Sequence, residues 1–459
     1  MKKFILIIYI LFPIFLYSQT NWEGFGIGVS GNGVKCYFED TLNDQLIVGG
    51  EFSAIDTFLN NGLAVWDSEK WDCFSDGLLI NFQIFSIIKY IDTLYVAGYF
   101  PYGIGTNDTI RNLAKWDGTN WKHVVDFNNY GYIRNMRVIN NELYILGTFD
   151  SINDVVANGL AKYNGVEWSN VYNLPQFYST SANFINDIAY YENELYVGGN
   201  FVNDDQTIRD IVKYNGSEWA DVGGSLKGGS ANINRMLVFD NELVVAGTFY
   251  KSDGNVGNHI MTWNGTEWQE LGDFVETNSS IKDMRIHNDE LYIGGTFSIV
   301  SDIAIQCIAI WDGQKICGLG GDFDLNVYSL GFYRDTLFVG CGNYVDSIQV
   351  NRLVRWVGGN YIDTCSTLQS VQNIVGQNDK IFVYPNPVNN EINILLPDFE
   401  NEIIQVTLIN INGSKIFENE FKVNNNHIII NDLKAEKGIY FLRMSTNEMV
   451  EVKKLIISQ

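Results

Sequence analysis

The sequence predicts an all-β protein, namely a seven-bladed β-propeller with four-stranded blades followed by a small Ig-like β-sandwich. Three observations predict it. A glycine-containing segment recurs seven times, an aromatic pair follows each copy in phase, and turn residues divide each unit into four strand-like runs. The composition agrees with strands rather than helices, because 14% of residues are aromatic, 43 are glycine and only 18% are charged.

The first repeated motif is Leu-x-x-x-Gly-x-Phe. Successive glycines lie 48 to 52 residues apart, and the equivalent position of the seventh copy follows 46 residues later, which fits one blade per repeat. We expect these glycines to be structural, allowing close backbone packing where blades crowd the axis. They are Gly50, Gly98, Gly147, Gly199, Gly247 and Gly295, and Cys341 stands in the degenerate seventh copy.

The second motif is an aromatic pair around Asp-Gly or Asn-Gly. We interpret that dipeptide as a two-residue hairpin turn with two positive-φ positions. In the second unit, this would pair Trp116 with Thr119 and place Trp121 diagonally on the same face. The pairs are Trp66/Trp71, Trp116/Trp121, Tyr163/Trp168, Tyr214/Trp219, Trp263/Trp268, Trp311/Ile316 and Trp356/Tyr361.

Two segments compete to close the ring. Residues 22–28 resemble the fourth strand of a unit that lacks its first three strands, and residues 361–365 follow the last unit. Strand exchange of this kind would remove open sheet edges. The sequence leaves the choice open.

The remaining boundaries follow from the ends of the chain. Residues 1–19 form a signal peptide pattern, with Lys2 and Lys3 before a 13-residue apolar run and a cleavage point near Ser18. We expect the propeller over 20–363, a polar linker over 364–380 and the second domain over 381–459. No other apolar stretch is long enough for a membrane helix, so none is expected in the mature chain.

The C-terminal motifs carry a family resemblance. Tyr384-Pro385-Asn386-Pro387, the Gly-Ile-Tyr-Phe-Leu run that begins at Gly438 and the terminal Lys453-Lys454 pair resemble a type A C-terminal sorting domain. That family belongs to the type IX secretion (Por) system of Bacteroidetes. The resemblance implies the type IX secretion machinery as partner, cleavage in the linker, and a secreted or surface-attached product.

A second resemblance concerns the body. The Gly-Gly pairs at 49–50, 198–199 and 294–295, followed by spaced aromatics, resemble the kelch and galactose-oxidase propellers. The copper ligand set of galactose oxidase has no recognisable counterpart, and the four histidines are not at metal-ligand spacing. We therefore expect no cofactor and no metal, with calcium on the acidic loops left open.

The net charge of the chain argues against some classes of binding partner. The chain has a formal net charge of -24, and residues 20–382 hold 21 basic and 44 acidic residues. An acidic body argues against nucleic acid and anionic lipid.

The long connections between second and third strands and between blades share one face, and such variable loops are where binding usually occurs. Aromatic platforms with carboxylates suit sugars. The candidate ligand-binding residues are Tyr102, Tyr130, Tyr132, Tyr178, Tyr250, Asp204, Asp205 and Asp253, with Asp108, Asp154 and Asp302 nearby in sequence.

These observations favour a non-catalytic binding protein with a glycan or a surface protein as ligand. The alternative is a secreted carbohydrate-active enzyme that uses loop carboxylates, since the separation of two carboxylates in space is invisible in sequence. No catalytic residue is assigned. The six cysteines allow fifteen pairings, and Cys307 with Cys317 is the first pair to test because both flank one hairpin.

Overall fold

A computed structural model describes most of the propeller region and the strands of the C-terminal domain. It divides into two compact units, 1–369 and 370–459. The described residues are 21–59, 62–74, 83–100, 110–127, 131–175, 177, 184–204, 206–228, 231–274, 279–301, 303–324, 326–358, 364–367, 382–384, 388, 391–396, 402–410, 415–423, 426–431, 435, 437–446 and 450–457. The predicted signal peptide lies outside them.

The described part of the first unit contains seven antiparallel sheets of four or more strands, numbered here in chain order by their first strand. Sheet 1 comprises Gly33–Asp40, Gln45–Glu51, Leu63–Trp66 and Trp71–Cys73; sheet 2 comprises Gln83–Tyr90, Thr93–Tyr99, Leu113–Trp116 and Trp121–His123; sheet 3 comprises Tyr132–Ile139, Glu142–Thr148, Leu160–Tyr163 and Trp168–Asn170. Sheet 4 comprises Phe184–Tyr191, Glu194–Val202, Arg209–Tyr214 and Trp219–Ala220; sheet 5 comprises Asn232–Phe239, Glu242–Thr248, Ile260–Trp263 and Trp268–Glu270. Sheet 6 comprises Ser280–His287, Glu290–Thr296, Ile308–Trp311, Lys315–Gly318 and Thr364–Thr367; sheet 7 comprises Ser329–Tyr333, Thr336–Gly340, Leu353–Trp356 and Trp22–Gly24.

The sheets form a closed ring. The first strand of each sheet contacts the first strand of the next, and the first strand of sheet 7 contacts that of sheet 1. A separate apolar cluster fills each interface between successive sheets, as Ile47 and Val96 do between sheets 1 and 2. This is the packing of a β-propeller, and the predicted all-β class with four-stranded units is confirmed. The first strands surround an axial channel.

The repeated glycine has a specific cause. In sheets 1 to 6 the first strand contains a β-bulge one residue after a buried aliphatic, as at Ile133/Asn135 in sheet 3. A Cβ on Gly147 would lie 2.1 Å from the carbonyl oxygen of Tyr132, so no side chain fits there. Sheet 7 has Cys341 at that position, and its described ladder runs without a register shift.

Two-residue turns do not occur at Asp117-Gly118, where the sequence predicts one, but between the first and second strands of the sheets. Trp116 pairs directly with Trp121, not with Thr119, across a four-residue loop. The Asp117 carboxylate accepts the N–H groups of Thr119 and Asn120, so only Gly118 needs a positive φ. Paired positive-φ residues occur instead between first and second strands, at Ile91/Asp92, Asn140/Asn141, Glu192/Asn193, Asp240/Asn241, Asn288/Asp289 and Arg334/Asp335.

The N-terminal strand closes the ring. Trp22–Gly24 pairs antiparallel with Leu353–Trp356 of sheet 7. The rings of Trp22 and Trp356 lie 4.9 Å apart. Trp22 therefore takes the place beside Trp356 that the sequence predicts for Tyr361. Tyr361 itself lies outside the described residues. The N-terminal strand and the seventh repeat therefore share one sheet, so the start and the end of the ring are joined by strand pairing.

The segment that competed for closure has another place. Thr364–Thr367 adds a fifth strand to sheet 6, and Cys365 forms a disulfide with Cys317. The expected Cys307–Cys317 pair is therefore wrong. Cys307 is buried just before the third strand of sheet 6, at a left-handed position with a φ of 62°, where Gly159 stands in sheet 3. Residues 364–367, expected in the linker, belong to the sheet.

Short hairpins decorate the connections between second and third strands. They are Ala54–Ile55 with Phe58–Leu59, Ser151–Ile152 with Val155–Val156, Ile299–Val300 with Ile303–Ala304, and Tyr344–Val345 with Ile348–Gln349. Sheet 5 has a 3-10 turn at Lys251–Asp253 instead. These connections and the inter-sheet segments lie at one end of the channel, called the loop end; the tight first-to-second turns lie at the other, called the turn end.

The second unit contains two antiparallel sheets. One comprises Phe382–Tyr384, Glu391–Leu395 and His427–Asn431; the other comprises Ile403–Asn410, Lys415–Lys422, Gly438–Ser445 and Val450–Ile457. A single apolar core joins them, with Ile392 and Ile430 on one side and Val406 and Leu442 on the other. The predicted β-sandwich is confirmed, while Asn412-Gly413 and Pro385-Asn386-Pro387 lie outside the described residues.

Candidate functional site

The first strands arrange two layers of side chains around the channel. The bulge layer consists of the extra residues at the bulges, near the loop end. The ion-pair layer lies one to three residues further along the same strands. The bulge layer is Lys35, Phe85, Arg134, Asn186, Asn234 and Lys282; the ion-pair layer is Arg137, Asp187, Arg235, Asp283 and Arg285.

In the ion-pair layer, charges compensate one another between sheets. Arg137 binds the fully buried Asp187 through two hydrogen bonds of 2.8 and 2.6 Å. Arg235 donates to Asp283 at 2.7 Å, and Arg285 lies 3.3 Å from the same carboxylate. A bidentate guanidinium–carboxylate pair is the geometry that best offsets the desolvation of both ions.

The two aspartates also hold backbone across sheet interfaces. Asp187 accepts the N–H of Met236 at 3.0 Å, and Asp283 accepts the N–H of Leu330 at 2.9 Å. Burial by itself raises the pKa of Asp283, but Arg285 and Arg235 outweigh it, so the net shift is downward. The Asp283 carboxylate is thus held in its ionised form. Each of the two aspartates binds an arginine of one neighbouring sheet and a backbone N–H of the other.

The bulge layer is different, because Arg134 has an aromatic environment. Its guanidinium lies 4.2 Å from the ring centre of Phe184 and 5.4 Å from that of Tyr132, and it donates to the Tyr132 hydroxyl at 2.9 Å. Tyr132 in turn contacts Phe85 and Tyr99 at 6.0 and 5.7 Å between ring centres. We call Phe85, Tyr99, Tyr132 and Phe184 the aromatic cluster.

Lys35 and Lys282 occupy the other side of the same layer. The ammonium of Lys35 lies 4.4 Å from the ring centre of Tyr328. Burial lowers the pKa of Lys35, although Glu51 opposes that shift, and burial lowers the pKa of Lys282 as well. Both lysines are half-buried cations at the loop end of the channel.

A cavity of about 190 Å³ adjoins the aromatic cluster between sheets 3 and 4. Phe184 belongs to both the cluster and the cavity. The cavity lining combines apolar rings with a few polar groups, as small-molecule sites commonly do. It includes Phe149, Phe177 and Phe201 together with Thr148, Asp150 and Asn158.

The turn end has a second cavity of about 450 Å³, with a different character. Its rim is apolar and includes Tyr190, which is 41% exposed, together with Val138, Val238 and Ile286. Arg137 and Arg285 line it, but both are engaged by the ion-pair layer.

The candidate residues chosen from sequence are spread over several elements. Tyr132 joins the aromatic cluster, whereas the ring of Tyr250 contacts His259 at 4.9 Å in sheet 5. Asp204 and Asp253 are exposed in the connections of sheets 4 and 5, and Asp154 is exposed in that of sheet 3. Tyr102, Tyr130, Tyr178, Asp108, Asp205 and Asp302 lie outside the described residues.

Sequence reasoning missed Arg134, Phe184, Phe85 and the two lysines. A signal for them exists in the spacing of apolar residues. Regular strands repeat an apolar residue every two positions, but here the interval is three, as from Ile133 to Met136. That interval marks a bulge, and the residue after the first aliphatic varies between repeats while the aliphatic itself is always Val or Ile.

Within the described residues, no group of three His, Cys, Asp or Glu side chains is arranged to hold a metal ion. Calcium on the acidic loops therefore stays a prediction. No helix in the described part of the chain has the length and apolarity needed to cross a membrane.

Comparison with known proteins concerns the tail most directly. Residues 382–458 match the family described as "Secretion system C-terminal sorting domain". Gly438 lies at the start of a strand there and Lys453 is half-buried within the last one. Through this domain the chain interacts with the type IX secretion machinery, which exports it to a secreted or surface-attached state.

No curated protein sequence matches the chain. Among solved structures, a computationally designed protein, Ika8, is 13% identical with a TM-score of 0.40, covering 70% of this chain and 83% of its own. A luciferin-regenerating enzyme is 13% identical with a TM-score of 0.35, covering 65% and 95%. A structural genomics protein of unknown function from Bacteroides thetaiotaomicron is 12% identical with a TM-score of 0.34, covering 74% and 98%. At these values the similarities support no functional argument.

Proposed function

We propose that the ring, exported by its C-terminal sorting domain, is a non-catalytic glycan-binding protein whose site is the loop end of the axial channel. One observation carries the proposal: Arg134 lies against Tyr132 and Phe184 of the aromatic cluster, which adjoins the cavity between sheets 3 and 4. A rigid ring of sheets holds these side chains, so little conformational entropy is lost when a ligand binds.

The chemistry of the cluster suits a sugar. Aromatic faces pack against the apolar C–H face of a sugar ring, while side-chain amides, hydroxyls and a guanidinium bind its oxygens. Tyr99 is 39% exposed and offers such a face to solvent. Thr148 and Asn158, which line the cavity, have neutral hydrogen-bonding groups.

The enzyme alternative finds one candidate carboxyl. Among the described carboxyl groups, only Asp210 has a net raised pKa, which burial raises to about 7, as a general acid would require. However, Asp210 is 3% exposed and accepts the N–H of Phe201 at 3.0 Å. Asn112 makes the same bond to Phe100 in sheet 2, which favours a structural role for Asp210.

The test is a glycan array probed with the full chain, with added calcium and with a chelator. We expect binding without turnover. The double variant Y132A/F184A should bind at least about tenfold more weakly, since a loss of roughly 1.4 kcal/mol is tenfold in affinity. The matched control is Y190A, an exposed tyrosine of the same ring at the turn end of the channel.

Several outcomes would contradict the proposal. Release of reducing ends that is abolished by D210N would favour the enzyme. Equal loss of binding in Y190A would move the site away from the loop end. Failure to bind any glycan, with retention of a surface protein that depends on Tyr132 and Phe184, would replace the glycan with a protein ligand.

A further inference from the structure

We propose that the glycan is acidic, and that its carboxylate or sulfate groups are bound by Lys35, Arg134 and Lys282 of the bulge layer. The inference rests on the proposed function and specifies the ligand class for the same site. The three residues come from sheets 1, 3 and 6, so together they surround the loop end of the channel rather than form a single surface patch.

The two layers contain six cationic side chains, which differ in whether a carboxylate is paired with them. Arg137, Arg235 and Arg285 have buried aspartates as partners. Among the described residues, no carboxylate oxygen lies within 4.0 Å of Lys35, Arg134 or Lys282. The Nε of Arg134 is buried and has no hydrogen-bond acceptor in the described part of the chain. Among the described residues, these three positive charges thus lack a carboxylate partner in an ion pair, and Glu51 acts on Lys35 only from beyond 4.0 Å.

Uncompensated charges in a half-buried position are costly. Removing a cation from water carries a desolvation penalty that a nearby carboxylate normally offsets. The lowered pKa values of Lys35 and Lys282 reflect this penalty. The body has an excess of acidic residues, with 44 against 21 basic over 20–382, so carboxylates are abundant elsewhere. The lack of an ion pair at these three cations among the described residues points to an anion supplied by the ligand.

The neighbouring groups favour a sugar oxyanion over an acidic peptide. Aromatic faces next to Arg134 suit a pyranose ring, and a carboxylate or sulfate on that ring could reach the guanidinium edge at the same time. A uronic acid and a sulfate ester present the same chemistry, namely a fixed oxyanion on a sugar ring. The experiment must therefore distinguish these two sources.

The experiment measures binding of the full chain to four immobilised polymers at low and high salt. Dextran is neutral, dextran sulfate carries only sulfate, polygalacturonate carries only carboxylate, and polyglutamate is the acidic peptide. We expect at least about tenfold tighter binding of one or both acidic glycans than of dextran, weakening as salt screens the exposed part of the interaction. Preference for dextran sulfate or for polygalacturonate identifies the oxyanion.

The decisive variant is K35Q/R134Q/K282Q. It should lose the preference for acidic glycans while its midpoint of thermal unfolding stays equal or rises, because unpaired desolvated charges are removed. The control K70Q/K122Q/K315Q makes the same change in net charge on or beside the outermost strands and should bind as the wild type does.

Three results would overturn the inference. They are equal binding of dextran and the acidic glycans, unchanged binding by K35Q/R134Q/K282Q, and polyglutamate binding as tight as that of the acidic glycans. The first leaves the proposed function intact, because a neutral glycan is still bound. Absence of binding to any glycan on the array would instead remove the proposed function itself.

Discussion

Arg134 and Arg137 lie three residues apart on one strand, yet their surroundings differ completely. Arg137 binds a buried aspartate of the next sheet through two hydrogen bonds. Arg134 lies against the ring of Phe184 and within reach of Tyr132, and no carboxylate is near it among the described residues. Arg134 is the extra residue of a β-bulge, which sets the layer near the loop end apart from the layer that holds the ring together.

The difference teaches how one repeated strand serves two purposes. The charged side chains of the ion-pair layer bind one another between sheets, so changes there should affect the stability of the fold. The charges of the bulge layer form no ion pair among the described residues, so changes there should affect binding. Three stability measurements can break or sharpen this comparison.

The largest effect is expected for Asp283→Asn. The substitution keeps the shape but removes the charge that compensates Arg235 and Arg285, leaving two half-buried guanidiniums against each other. Breaking such a pair destabilises by about 3–5 kcal/mol, which urea unfolding of the full chain would measure. The control is Asp335→Asn, a largely exposed partner of His287, for which a change below about 0.5 kcal/mol is expected. Equal effects in both variants would contradict a structural ion-pair layer.

The next effect compares the two arginines directly. Arg137→Gln leaves Asp187 without its bidentate partner and should destabilise by about 2 kcal/mol, less than a fully buried pair because Arg137 is partly exposed. Arg134→Gln should change stability by less than about 0.5 kcal/mol. If Arg134→Gln proved the more destabilising of the two, its cation would have a structural role and the distinction between layers would fail.

The third comparison concerns how the stability of the fold depends on pH. Asp283, beside two cations, has a lowered pKa, so its contribution is lost as pH falls through that value. Asp210, without a described partner for Oδ2, has a pKa raised to about 7. Its folded form binds the proton more tightly than the unfolded chain, so stability falls as pH rises from about 4 to about 7.

Asp210→Asn isolates the Asp210 contribution. The amide has no proton to lose, and Asn112 already fills this position in sheet 2 with a second hydrogen bond to Gly131. We expect little change at pH 4 and a gain of up to about 4 kcal/mol at pH 8, since a shift of one pKa unit corresponds to about 1.4 kcal/mol. Thermal unfolding at the two pH values measures it, and a gain of the same size at both would exclude titration of Asp210 as the cause.

Much of the fold was predictable because the repeat is periodic. The glycines and the aromatic pairs recur in phase, and each describes local geometry. The turn type was predicted wrongly because an Asp side chain can accept backbone N–H groups and lengthen the loop, as Asp117 does. The candidate residues chosen from sequence share Tyr132 with the aromatic cluster, and their role in binding stays a prediction.

The sequence by itself determined the class of fold, the number of repeats and the address, because periodic patterns and C-terminal motifs are properties of neighbouring residues. The tertiary structure decided what distance in sequence conceals. It joined Trp22 to Trp356, joined Cys317 to Cys365, and brought Lys35 and Lys282 to one end of a channel. Ring closure is the physical reason, since it makes neighbours of strands that lie hundreds of residues apart.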